Sequence, residues 1–335
     1  MYKLILTLAL LLAMSLNLYA QNIAREFEIP LPGYKVSNSL YKTIRTVDSR
    51  IGDTSIGIVN YGALRNIDAK LVMKSSLGSQ LSNVLDDLTD ATAKNGELLF
   101  QLNRFGFVET WGIRYCHLVA TLYARYNDNY KQLALLDTLL VLNPKNLGSM
   151  LSDNAGKLIT DFIARRLLQY PANTTAYTLD EIKKVDSISM AKMPLYTNPG
   201  YTDGIYRSFS SFVQQTPDQQ GIVEGDGAKN IFSVKLTGAD GKKMKLRPAD
   251  VYAVVYKGQP FIATSYGYYN LVKSADNNFY FSGLVKRLNN SDDDNKGPKL
   301  GLDMLAGDGK GQNYVMMIDY RNGNLIHIRK IDMEN

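Results

Sequence analysis

Two segments of the chain carry apolar residues at helical spacing. In Ser75–Gly96 they fall at Leu77, Leu81, Val84, Leu85 and Leu88, and Asn95-Gly96 closes the run. In Ser149–Tyr170 they fall at Leu151, Ala155, Leu158, Ile159, Phe162 and Ile163, and Pro171 stops the period. The intervening and preceding runs are strand-like. SLYKTIRTVDSR and TSIGIVNYG are two strands broken at Gly52-Asp53. ELLFQLNRFGFVETW, GIRYCHLVATLYARYN and YKQLALLDTLLVLN are three more, the last two joined around Asn127-Asp128-Asn129, a hairpin composition. The order β-β-α-β-β-β-α predicts an α+β fold: an antiparallel sheet with two helices on one face.

Beyond Pro171 the pattern changes. Pro171, Pro194, Pro199, Gly200 and Gly204 punctuate a stretch in which Thr178 and Glu181 have capping-box spacing, so residues 171–200 read as a linker with a short helix. From Tyr201 short β-rich runs dominate. NIFSVKLTG, the segment through VYAVVYKGQPFIATSYGYYNLVKS, and NNFYFSGLVKRL are separated by turn signals at Ala239-Asp240-Gly241 and Tyr256-Lys257-Gly258. QNYVMMIDYRNGNLIHIRKI places two strands around Asn322-Gly323. The expected second unit is a smaller, mainly antiparallel β domain with a short helix. That helix is assigned to GIYRSFSSFVQQTP, where Tyr206, Phe209 and Phe212 at i, i+3, i+6 form an apolar stripe that packs into a core.

The N-terminus changes where the chain is expected to reside. MYKLILTLALLLAMSLNLYA has one Lys, an apolar run from Leu4 to Leu16 and a small residue at Ala20, a secretory signal peptide by pattern and too short to span a bilayer. No later segment is apolar enough to span, and the cut carries no Cys for lipid attachment. The expected division is 1–20 signal peptide, 21–170 α+β domain, 171–200 linker and 201–335 β domain, exported to the periplasm or cell envelope. The 38 Lys and Arg are interleaved with 32 Asp and Glu, with no basic block to follow a phosphate backbone, so nucleic acid is not an expected partner.

Candidate chemistry is sparse. Cys116 is the only cysteine, so no intramolecular disulfide forms, and its strand context predicts a buried, inert thiol. His117 is adjacent, but strand neighbours point to opposite faces, so the two form no local dyad. The only other histidine is His327, far away in sequence. Asp86, Asp87 and Asp90 read as a solvated helix face. Asp292, Asp294, Gly297 and Asp303 approximate calcium-loop spacing, but Lys296 stands where an oxygen ligand belongs. Gly307-Asp308-Gly309-Lys310 fails the phosphate-loop spacing. Both loops are expected to be an exposed insertion. Tyr266, Tyr268 and Tyr269 are a candidate contact surface for protein or glycan, weighed against ordinary use of Tyr in strands. No catalytic, cofactor-binding or metal-binding set is assigned.

Element order and the motif Asp48–Arg50 with Gly52–Gly57 resemble the YajG/LppB-type and transport-auxiliary proteins of bacterial envelopes over Tyr41–Tyr170. GIYRSF through KGQPFIATSYGYYNLVKSADNNFYFSG resembles a module of unknown function recurrent in secreted proteins of the Bacteroidota, over Tyr201–Leu288. Together these imply a non-enzymatic exported envelope protein that binds or scaffolds a protein partner. The alternative is a hydrolase of glycan or peptidoglycan using two carboxylates distant in sequence, with Glu109 and Glu224 as candidates. Mass spectrometry of the protein exported by its native host is expected to find an N-terminus near Gln21; full-length chain recovered from the cytoplasm overturns the export reading.

Overall fold

The computed structural model describes residues 24–50, 55–61, 67–110, 113–142, 151–172, 174–226, 230–238, 240–286 and 311–331. The α+β class expected from the sequence holds. The first part is an eight-stranded sheet of β1 (Ala24–Phe27), β2 (Tyr41–Asp48), β3 (Ser55–Tyr61), β4 (Ile67–Met73), β5 (Gly96–Thr110), β6 (Ile113–Tyr126), β7 (Asn129–Leu142) and β8 (Ala176–Tyr177). β5, β6 and β7 pair antiparallel as expected, and β6–β7 turns through Asn127, whose φ of 54° suits Asn. The sheet as a whole is mixed rather than antiparallel: β2 and β3 lie one after the other along the same edge of β5, both parallel to it, and β1 is parallel to β4. The physical reason lies in helix α1 (Leu77–Leu88), which separates β4 from β5. β5 therefore cannot return as a hairpin partner of β4 and is inserted beside β2 and β3 instead. β4 and β1 have no counterpart in the sequence-based order.

Helix α1 and helix α2 (Leu151–Ala164) cover one face of this sheet. Leu77, Leu81, Val84, Leu85 and Leu88 of the first, and Ala155, Ile159, Phe162 and Ile163 of the second, share a core with Leu98, Phe100, Leu102, Phe105 and Phe107 of β5 and Cys116, Leu118, Ala120 and Leu122 of β6. The apolar positions of β5 change phase between Leu102 and Phe105. A β-bulge absorbs the change: Leu102 faces Ala120 and Arg104 faces Val119, which leaves Asn103 as the extra residue. Arg104 and Gly106 are thereby turned to the opposite face, in line with Tyr115 and His117 of β6. Among the described residues, the outer edge of β7 is paired only at Tyr130 and Lys131, with β8.

Residues 171–200, expected as a linker with one short helix, form three: α3 (Leu179–Lys183), α4 (Val185–Met190) and α5 (Pro194–Thr197). The Thr178–Glu181 capping box is present at the first. Ile182 is buried with Leu99, Tyr123 and Tyr130 on the second face of the large sheet, while Met190, Leu195 and Tyr196 join the core of the C-terminal part.

Among its described residues, that part contains three antiparallel sheets. β9 (Gly204–Tyr206) precedes helix α6 (Phe209–Val213); then follow β10 (Ile222–Gly225), β11 (Ile231–Thr237), β12 (Lys243–Lys245), β13 (Ala253–Tyr256), β14 (Gln259–Thr264), β15 (Gly267–Asn270), β16 (Val272–Lys273), β17 (Phe279–Lys286), β18 (Gly311–Ile318) and β19 (Leu325–Lys330). The sheets are β10-β11-β12, β15-β14-β13-β9 and β16-β17-β18-β19. The middle one has a core on each face. Ala253, Val255 and Ile262 pack toward Phe279, Phe281, Tyr314 and Met316, whereas Val254, Phe261 and Ala263 pack toward Ile231 and Val234. Burial on both sides explains why AVVY and PFIAT are apolar without alternation. No described helix is long and apolar enough to cross a membrane. The expected insertion with Asp292, Asp294, Gly297, Asp303 and Gly307–Lys310 lies outside the described residues.

The stripe in GIYRSFSSFVQQTP is core, but its residues do not share one helix. Tyr206 belongs to strand β9, and only Phe209 and Phe212 are helical, behind a Ser208 cap. Tyr206 and Phe212 are fully buried, with rings 5.3 Å apart, and Phe209 packs more shallowly on Tyr252. Replacement Phe212→Ala is expected to lower stability by about 3–5 kcal/mol in denaturant titrations. The exposed side chain of Arg207, bonded to Gln219, predicts that Arg207→Ala changes it by less than about 0.5 kcal/mol. Equal melts for both variants would refute the assignment.

Candidate functional site

The second face of the large sheet meets the C-terminal part, and between them lies a cleft of about 410 Å³. Its walls come from β5 (Asn103, Arg104, Gly106), β6 (Tyr115, His117), α4 (Asp186) and the β18–β19 hairpin (Tyr320, Arg321, His327), with Tyr280 of β17. Each position follows from local structure. Strand alternation sends Cys116 into the helix-covered core and its neighbours Tyr115 and His117 into the cleft. The Asn103 bulge does the same for Arg104. Gly106, cross-strand from His117, leaves open space where a side chain would stand.

An ionic network ties the two parts together. Arg104 Nη1 donates to Asp319 Oδ2 at 3.1 Å, and Asp319 is fully buried. The Arg321 main-chain N–H donates to Asp319 Oδ1 at 3.0 Å, its guanidinium reaches Asp186 at 3.0 Å, and the Tyr320 hydroxyl donates to Asp186 at 2.6 Å. On the sheet, His117 Nε2 lies 3.2 Å from Asp137 Oδ1 of β7. This bond is the main reason the Asp137 carboxyl is held below the usual carboxylate range. One ligand atom each from His117, Asp137 and Asp319 all lie within 4.8 Å of one another.

Neutral polar groups in the same cleft are less well served. Asn103 Nδ2, Tyr115 Oη and His327 Nε2 are buried without a hydrogen-bond partner among the described residues. His327 lies between the rings of Tyr314 and Tyr115, centroids 4.7 and 5.5 Å away. Burial holds its imidazole down to about 4 and pushes the Tyr115 hydroxyl far up. Burial likewise raises the Cys116 thiol, which makes that group a poor nucleophile.

The tyrosines singled out by sequence lie elsewhere. Tyr268 and Tyr269 take opposite faces of β15: Tyr268 packs toward Val254 and Phe261, and Tyr269 stacks on Phe281 at 6.0 Å. Both border a shallower cleft of about 360 Å³ with Asn230 and Tyr280. Tyr266, half-buried in the preceding turn, does not line it. Glu224 is exposed and paired with Lys235 at 2.5 Å, and that bond is what lowers its carboxyl. The Glu109 side chain lies outside the described residues. Asp87 and Asp90 do more than face solvent, since they accept hydrogen bonds from the Gly33 N–H and the Ser37 hydroxyl. Sequence reasoning missed Arg104, Asp137, Asp186, Asp319 and Arg321 altogether; the phase change at Asn103 was the one local signal pointing to this face.

His327 makes the interface acid-sensitive. In the unfolded chain its imidazole takes up a proton below about 6.5, whereas in the fold it stays neutral down to about 4. Stability tied to this residue is therefore complete above about pH 6.5, is lost as pH falls, and levels off below about 4. The total is about 3 kcal/mol. Denaturant titrations from pH 7 to 4 are expected to show that much less acid loss in His327→Phe than in wild type; parallel curves would show that His327 is not buried neutral.

Comparison of the chain with protein-family models, curated proteins and solved structures finds no match.

Proposed function

We propose that this chain is a non-enzymatic exported protein of the cell envelope, and that it binds a protein partner through the cleft between its two parts. One observation carries the reading. Three buried polar atoms, on Asn103, Tyr115 and His327, lack partners among the described residues around a single cleft, and an unpaired buried polar group costs about 1–3 kcal/mol. Such groups gain when an inserted loop or terminus of a partner brings hydrogen-bonding atoms to them. The volume suits a few side chains, the scale of an anchoring pocket in an interface.

The approach of Asp137 to Asp319 favours the hydrolytic alternative, because paired carboxylates are its requirement. Their chemistry weighs against it. Asp137 is held in its charged form, and Asp319 is sealed and accepts bonds from Arg104 and the Arg321 main chain. A glycosidase needs one carboxyl held protonated near neutral pH as the general acid, and neither residue is placed to be one.

The space above Gly106 allows a direct test. Gly106→Trp fills the cleft from a position where a Cβ meets nothing within 4 Å. Tagged wild type is expected to retain a stoichiometric envelope protein through purification from the native host, and Gly106→Trp, melting like wild type, to lose it. Retention by the variant removes the cleft from the reading. Release of peptidoglycan fragments by wild type but not by Asp137→Asn replaces binding with hydrolysis.

A further inference from the structure

Whether or not a protein partner enters the cleft, the group of side chains that His117 links to its lining has the composition of a cation site. We propose that His117, Asp137 and Asp319 bind a single divalent transition metal of the Zn²⁺ class, with an open coordination position facing the cleft. One imidazole and two carboxylates form a borderline donor set that suits such an ion. Their spacing agrees. Two ligand atoms on a tetrahedral ion with bonds of about 2.0–2.1 Å stand about 3.3 Å apart, and His117 Nε2 lies 3.2 Å from Asp137 Oδ1. The ligand atoms of the three residues lie within 4.8 Å of one another, a gap that small side-chain rotations close.

The closeness of the two ligand carboxylates bears on the same point. Arg50, Arg104, Arg321, Asp186 and Asp276 line the cleft, and His117 joins that lining to Asp137 and Asp319, which are not part of it. Asp319 is withdrawn from water entirely and lies close to Asp137. Two like charges brought together in a poorly solvated place need a further positive charge nearby. Arg104 and Arg321 contribute part of it, but Arg104 uses only one lone-pair direction of Asp319 Oδ2. A carboxylate offers about four such directions, so an ion and Arg104 can share the group.

A second, independent feature is the solitary nitrogen of His327. This side chain is nine-tenths buried, borders the same cleft and has no partner for Nε2 among the described residues. It is outside the ligand group, so its role is to meet a molecule held by the ion. Water on the open position is such a molecule. Gly106, with empty space beside His117, leaves room for it.

The test uses the full mature chain, untagged and stripped of metal with a chelator, then titrated with Zn²⁺ by calorimetry and with Co²⁺ by visible absorption. One ion per chain is expected, with the intense visible bands of a low-coordinate Co²⁺ site. His117→Ala and Asp137→Asn should each weaken binding at least about tenfold, and His327→Ala should leave the stoichiometry unchanged. Thermal melts in chelator separate loss of the site from loss of the fold. If Asp137→Asn fails to fold, His117→Ala alone decides the matter. Absence of saturable binding in wild type overturns the proposal, as does binding unaffected by His117→Ala or abolished by His327→Ala.

Discussion

The arrangement of β5 constrains everything else in this protein. The strand runs through the centre of the large sheet, paired with β6 on one side and with β2 and β3 in succession on the other. It must give apolar side chains from Leu98 to Phe107 to the helix-covered core and yet turn a guanidinium to the opposite face. A strictly alternating strand cannot do both with the residues it has, because Leu102 and Phe105 are separated by an odd step. One unpaired residue, Asn103, resolves the conflict. Without it either Phe105 and Phe107 leave the core or Arg104 enters it, and burying an unpaired guanidinium is far costlier than the local loss of ladder bonds.

Once Arg104 is on the second face, the C-terminal part has something specific to dock against. Asp319 closes the β18–β19 turn by accepting from the Arg321 main chain and simultaneously receives Arg104. The same carboxylate thus shapes a hairpin and fixes its position on the sheet. Asp186 repeats the arrangement from α4 through Tyr320 and Arg321. Ionic contacts of this kind orient more than they stabilise, since desolvation offsets much of their attraction. Adhesion comes from apolar burial nearby, where Ile182 lies against Leu99 and Tyr123.

What could be read from the residues in advance divides along physical lines. Local patterns were legible: the 3.6-residue period of α1 and α2, the Thr178–Glu181 capping box, the Asn127 turn, and the fate of Cys116 and His117 on opposite faces of β6. Direction of pairing was not, because β2 and β3 look alike whether they meet a parallel or an antiparallel neighbour. Tyr206 was assigned to a helix because i, i+3, i+6 spacing fits one, but Gly204, at φ 150°, and pairing with β13 hold it in a strand. The cleft was least legible of all. Arg104 and Asp319 are 215 residues apart, and no period or spacing links them. The phase slip in LLFQLNRFGF was visible, and it marked the face without naming what would meet it.

The outer edge of β7 has its own consequence. From Leu133 to Leu142 the strand is apolar except at Asp137 and Thr138, and beyond Lys131 no described strand completes it. Leu135 and Val141 are about half exposed there. An apolar open edge invites a second molecule to extend the sheet, and a charge placed mid-strand is how proteins discourage it. Asp137 occupies that position. Its carboxylate is held ionised by His117, so the imidazole on the neighbouring strand keeps a charge in the middle of an otherwise apolar edge.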